Sequence, residues 1–120
     1  MPARSILVQC GHGTYGRDDD AYGALLAANA ALAKGLDVTL VLIDDGVLMA
    51  KLGQDPSGVG LPNNLDGIND LLELGGRLVV VGESLRERGL GKEDIVEGAQ
   101  VLTLAQLVPL IEEHSVTLTF

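Results

Sequence analysis

Ile6-Leu7-Val8-Gln9-Cys10-Gly11-His12-Gly13-Thr14-Tyr15-Gly16 sets an apolar strand, the only cysteine of the chain and a G-x-G-x-x-G loop in one line, and a helical pattern follows. In a dinucleotide site such glycines let the backbone approach a pyrophosphate, which rests on the positive end of the next helix. Here Asp18, Asp19 and Asp20 occupy that helix entrance. They suit the helix dipole, but they repel a phosphate, and Arg17 alone compensates weakly. An acidic ribose partner is expected about 20 residues past the glycines, and Asp37 and Asp44 lie further along than that. The stretch therefore reads as a glycine-rich turn at the carboxyl end of a strand.

The rest of the chain continues the alternation that this turn begins. Ala21, Leu25, Ala28 and Leu32 are staggered as on a helix over Asp20 to Lys34, which stops at Lys34-Gly35. Val38 to Ile43 is a continuous apolar run, the pattern of a strand covered on both faces. Asp44-Asp45-Gly46 ends it, and a short helix is expected over Val47 to Lys51. Leu52 to Pro62 is punctuated by glycine and proline and reads as loop. A helix over Asn64 to Leu74 places Leu65, Ile68 and Leu72 on one face, and Leu78 to Val81 is the third strand. Ser84-Leu85-Arg86-Glu87 has the form of a capping box opening a short helix that closes near Gly89. Lys92 to Glu97 suggests one more turn. Ala99 to Leu102 is a fourth strand, and Thr103-Leu104-Ala105-Gln106 is a second capping-box pattern. Pro109 then requires either a kink or a later helix start. Val116 to Phe120 alternates as a strand at or near an edge does. Strands alternating with helices imply a parallel sheet with helices on both faces. Ligands of such sheets collect beyond the strands' carboxyl ends, which gathers Cys10 to Gly16, Asp44 to Val47 and Gly82 to Ser84 on one rim.

Composition narrows the function. A chain of 120 residues fits a single domain, 1–120, with a proper core. With two tyrosines, one phenylalanine and no tryptophan, that core must be aliphatic. The same scarcity of stacking rings, with a net charge of −9, argues against nucleic acid as a partner. No apolar run approaches a membrane span and no signal-type segment opens the chain, so a cytoplasmic protein is expected. One cysteine can form neither an internal disulfide nor a cysteine-based zinc cage, and neither a metal nor a cofactor is implied. A mean hydropathy of +0.29 in so acidic a domain suggests apolar surface buried between subunits.

In order and spacing these features resemble the DsrE/DsrF-like family, the YchN-type proteins that include sulfur-relay subunits. The resemblance rests on the turn after the first strand, the Ala-rich helix, Asp44-Asp45-Gly46-Val47 and its variable loop, and Arg88-Gly89-Leu90. It covers nearly the whole chain. It implies a three-layer α/β/α fold with a five-stranded, mostly parallel sheet, and assembly as a homotrimer, a homohexamer or a hetero-oligomer of related subunits. Sulfur-carrying members place a cysteine just after the strand that precedes the Arg-Gly motif. Here that position aligns with Val81, so the relay chemistry is either absent or moved to Cys10.

The residues leave several readings open. Cys10 is either a small buried hydrophobe or a thiol activated by the helix entrance, with His12 as its helper and the three aspartates opposing it. As a carrier it would attack a sulfane sulfur supplied by a donor protein and hand it to an acceptor. His12 could equally be an ordinary loop residue. Gly11, Gly13, Tyr15, Gly16, Asp44, Gly82 and Glu83 would line a ligand site on the rim. Tyr15 and Tyr22 could instead cover the core, and Asp44 and Asp45 could simply make a turn. Glu83, Arg86, Glu87 and Arg88 read as a solvated helix surface or a subunit contact. His114 suits the carboxyl end of the last helix. The leading expectation is a sulfur-relay-related subunit with persulfide carriage on Cys10. The alternative is a non-catalytic binding or scaffolding protein that recognises an anion or nucleotide.

Overall fold

The continuous apolar run over Val38 to Leu42 becomes the central strand of a five-stranded, all-parallel sheet. The computed structural model describes residues 4–12, 18–55, 58 and 63–120, without the side chains of 18 and 19. Along the chain the elements are β1 (Ser5–Cys10), α1 (Asp18–Ala33), β2 (Asp37–Leu42), a 3-10 helix (Asp44–Ala50), α2 (Asn64–Glu73), β3 (Arg77–Val81), α3 (Gly82–Glu87), a 3-10 turn (Lys92–Asp94), β4 (Gln100–Leu102), α4 (Leu104–Glu113) and β5 (Val116–Thr119). The strand order is β4-β3-β2-β1-β5. The alternating strand Val116–Thr119 is therefore an edge, as its pattern predicts.

Side chains alternate between the two faces of a strand, and this divides the core in two. Val8, Cys10, Leu40, Leu42, Leu78 and Val80 share the larger cluster with Ala21, Ala24, Leu25 and Ala28 of α1 and with Ile68 and Leu71 of α2. Leu7, Val41, Val79 and Val81 share the smaller one with Leu107 and Leu110 of α4. Burying each of these leucines contributes about 1.5–3 kcal/mol. On α2, Ile68 is buried with Leu71, whereas Leu65 and Leu72 are only partly buried.

Local chemistry sets the helix ends. The Asn63 carboxamide oxygen accepts from the Leu65 N–H at 3.0 Å and starts α2. Thr103 and Gln106 form the expected capping box, with Thr103 Oγ1 accepting from Gln106 N and Gln106 Oε1 from Thr103 N. That cap fixes the start of α4 at Leu104, and the helix runs through Pro109. His114 closes α4. Its ring nitrogens lie 2.7 Å from the Leu110 carbonyl and 2.9 Å from Thr39 Oγ1, tying the helix end to β2.

Two expectations need correction. Ser84-Leu85-Arg86-Glu87 is not a capping box, because α3 begins at Gly82, directly after β3, with no side-chain cap. Asp44-Asp45-Gly46 is not a turn before a helix but the first turn of the 3-10 helix itself. Part of the loop read over Leu52 to Pro62, residues 56, 57 and 59–62, lies outside the described residues. Among the described residues, no helix is long and apolar enough to cross a membrane.

Candidate functional site

β1, β2 and β3 end side by side at Cys10, Leu42 and Val81, and the segments that follow are bound together by hydrogen bonds. The Ile43 N–H donates to the Cys10 carbonyl at 3.0 Å, and the Gly46 N–H to the Ile43 carbonyl at 2.9 Å. The Asp44 N–H donates to Ser84 Oγ at 2.9 Å. Arg88 donates from Nε and Nη2 to Asp45 Oδ1, at 3.0 and 2.8 Å, and from Nη1 to the Ser84 carbonyl at 3.0 Å. The three carboxyl ends thus form one polar lattice. Asp45 is largely exposed, so its ion pair with Arg88 matters more for fixing geometry than for stability.

The two motifs that carry the resemblance meet in this lattice. Asp44 adopts φ +52°, uncommon for a residue with a side chain, and that bend aims its N–H at Ser84. Asp45 receives Arg88, and Gly46 lies flat against the Cys10 carbonyl. Gly89, at φ +70°, ends α3. Its N–H donates to the Arg86 carbonyl and that of Leu90 to the Leu85 carbonyl, each at 3.0 Å, a Schellman arrangement. Leu90 then packs against the larger core.

Cys10 is fully buried in that core. Burial pushes its thiol pKa up, and the charge of Asp20 adds to this. A backbone hydrogen bond from His12 opposes it, whereas Sγ itself donates to the His12 carbonyl at 3.7 Å, a bond that suits the neutral thiol. What reaches the sulfur from His12 is therefore its backbone and not its ring. The imidazole is half exposed, with Nε2 3.5 Å from Asp20 Oδ2. Val81, which the resemblance aligns with the relay position, is fully buried too, but under α4 on the opposite face of the sheet from Cys10.

Of the other rim residues, Asp44 is exposed and Gly82 is half-buried beside Val101. Gly11 sits under Asp44 and donates to the Phe120 carbonyl at 3.1 Å. Gly13, Tyr15 and Gly16 lie outside the described residues. Tyr22 is exposed on α1. Two open depressions, of about 640 and 250 Å³, lie elsewhere. Leu52, Lys92, Glu93, Ile95, Val96 and Glu97 line the first, and Asn29, Asp70, Glu73 and Leu74 the second. Among the described residues, no three His, Cys, Asp or Glu side chains converge as metal ligands would.

Glu83 has a structural task. Both of its carboxylate oxygens accept from the Leu104 N–H at 3.1 Å, so it caps the start of α4. That bond is the main cause of a pKa below the ordinary Glu value. A carboxylate with a depressed pKa stabilises the fold above its unfolded value, about 4.3, and the effect is lost as pH falls through the folded value. Glu83→Gln is therefore expected to weaken α4 at neutral pH and to flatten the acid limb of the unfolding curve. Thermal melts of both proteins between pH 3 and 7 check this. Parallel acid limbs would contradict the capping role.

Comparison with known proteins agrees with this architecture. The model of the DsrE/DsrF-like family matches residues 4–120. Uncharacterized protein MJ0989 of Methanocaldococcus jannaschii is 39% identical over 106 residues, covering 88% of this chain and 90% of that protein. A TusC homolog of Vibrio parahaemolyticus is 37% identical over 99 residues, covering 81% and 80%. The intracellular sulfur oxidation protein DsrF of Allochromatium vinosum is 35% identical over 78 residues, 64% of this chain and 57% of that one. The crystal structure of the YchN protein from E. coli superposes with a TM-score of 0.87 at 22% identity, covering 99% of this chain and all of that one, which shows the shared fold. The chain belongs to the DsrE/DsrF-like family.

Proposed function

We propose that this chain is a sulfur-relay-related subunit that works within an assembly, as a homotrimer or homohexamer or with related subunits, and that it contributes recognition rather than a sulfur-carrying thiol. Its family and its likeness to the TusC homolog and DsrF support the relay-related role. One observation carries the second half. Val81, which the resemblance aligns with the relay position, supplies no sulfur, and the lone thiol, Cys10, is fully buried on the other face of the sheet. A persulfide forms by attack of a thiolate on a sulfane sulfur. A buried thiol with a raised pKa offers neither the charge nor the access. Recognition falls to the rim, where Asp44 and His12 are exposed over the hydrogen-bonded lattice.

Incubation of the folded protein with inorganic polysulfide, followed by intact-mass measurement, tests this. The native mass is expected to stay unchanged, and a one-sulfur adduct to form only after denaturation. An adduct on the native protein that disappears in Cys10→Ala would return the carrier role to Cys10.

A further inference from the structure

The two faces of the sheet are closed to very different degrees. The larger cluster takes Ala21, Ala24, Leu25 and Ala28 from α1 and Ile68 and Leu71 from α2. Asn29 Nδ2 donates to the Gly67 carbonyl at 3.1 Å and ties those two helices together. On the other face, Leu7, Val41, Val79 and Val81 have α4 as their only helical cover among the described residues. Leu107 and Leu110 are the only buried residues of that ten-residue helix. Leu104, Val108 and Ile111 are 46%, 57% and 36% exposed, so its other apolar side chains hold nothing down. Ordering each of the ten residues costs conformational entropy, and two buried leucines offset little of it.

The helix is also weak within itself. Pro109, inside it, has no N–H, so the Ala105 carbonyl loses the helical partner it would find there. A helix of this length is marginal in water without tertiary packing, so it does not outlast the departure of its two leucines. Its ends are held better than its middle. The chain enters α4 from β4, paired to β3 at one edge of the sheet, and leaves into β5, paired to β1 at the other. The Glu83 carboxylate accepts from the Leu104 N–H, and directly after His114 the Ser115 N–H donates to the Ser5 carbonyl at 3.1 Å. A segment fastened at both ends and thinly packed between them has no free end from which to fray. It opens as one unit.

We infer that α4 is a detachable strap, which leaves the sheet as one unit while α1, α2 and β1 to β3 stay folded. Its departure bares Leu7, Val41, Val79 and Val81 to solvent. The face under α1, with Cys10 in it, stays closed in the same event. This goes beyond the recognition role, because it makes one face of the sheet reachable within the folded protein and leaves the other shut.

Hydrogen exchange of the full chain, resolved by residue and followed as urea rises below the unfolding midpoint, tests it. The amides of Leu107, Val108, Leu110 and Ile111 are expected to share one opening. Corrected for intrinsic rates, they should exchange at least about tenfold faster than the slowest amides of α1 and β2, with a shallower dependence on urea. A thiol gives a second reading. Val81→Cys in a Cys10→Ala background should react with iodoacetamide at least about tenfold faster than Cys10 of the wild type, again with the shallower urea dependence. Rates and urea slopes in α4 equal to those of α1 and β2 would overturn the strap, as would a gradient of rates running inward from its ends. A Val81→Cys thiol as slow as Cys10 would overturn it too. If circular dichroism shows that variant to be unfolded, exchange in the wild type decides alone.

Discussion

Gly46→Ala is expected to be the most damaging small substitution on the rim. A Cβ at that position would stand 2.1 Å from the Cys10 carbonyl oxygen and 2.9 Å from its carbon. That oxygen already accepts from the Ile43 N–H, so strands β1 and β2 would have to part for the methyl group to fit. Overpacking against a side chain costs about 1–3 kcal/mol, because a rotamer can yield. A backbone carbonyl held at the end of a paired strand has no rotamer. The expected cost is therefore at the top of that range or above, roughly 3 kcal/mol. In a domain of this size that is a fall in Tm of about 10 °C or more. Gly11→Ala is the matched control: its Cβ would meet nothing closer than 3.8 Å, and a change within about 0.5–1 kcal/mol is expected. Scanning calorimetry of both variants checks the pair. A Gly46→Ala melt within two or three degrees of the wild type, about 0.5 kcal/mol, would mean that the strand ends are less tightly joined than described.

What could be read from the sequence follows a physical division. Contacts within a helix turn or along a strand leave a pattern in neighbouring residues. The Thr103 to Gln106 cap, the β2 run and the edge character of Val116 to Thr119 were visible for that reason. Contacts between distant residues leave none. Ser84 has the residue type and spacing of a helix cap, but its hydroxyl is taken by the N–H of Asp44, 40 residues earlier in the chain. Arg88 reads as a surface charge with a helical neighbour, and Glu87 does lie 3.8 Å away, but the carboxylate it hydrogen-bonds is Asp45, 43 residues away. Recognising that the two motifs form one lattice takes the fold.

The cysteine shows the same limit from another side. Alternation along β1 puts Val8 and Cys10 on one face, and the sequence contains that much. In a sheet covered on both sides alternation does not separate buried from exposed. Nor does it tell which face looks toward α1 and which toward α4. The structure supplies both answers, and they set Cys10 and Val81 apart. The proposed ligand residues Gly13, Tyr15 and Gly16 fall outside the described residues, so the rim is seen through Gly11, His12, Asp44, Gly82 and Glu83.

The second large effect concerns the thiol. Cys10 is fully buried within the larger aliphatic core, so reagents are expected to reach it only when the surrounding elements open. If that opening costs about 3 kcal/mol or more, native reactivity falls at least a hundredfold below that of the unfolded chain. The raised pKa lowers the thiolate fraction further near neutral pH. The same shift fixes the sign of an alkaline effect. The fold accommodates the neutral thiol, so its contribution to stability is whole below the unfolded value, about 8.5. It is lost as pH rises through the raised folded value. Alkaline destabilisation beginning above pH ~8.5 is therefore expected for the wild type and reduced in Cys10→Ala.

The rate of Cys10 alkylation by iodoacetamide, followed by intact mass in buffer and in denaturant at one pH, tests most directly whether the chain's one thiol is closed to chemistry. Native modification is expected to be at least about a hundredfold slower than in the unfolded chain, tracking stability as denaturant is added. Native modification within a few-fold of the unfolded rate would contradict it and place the thiol within reach of a sulfur donor.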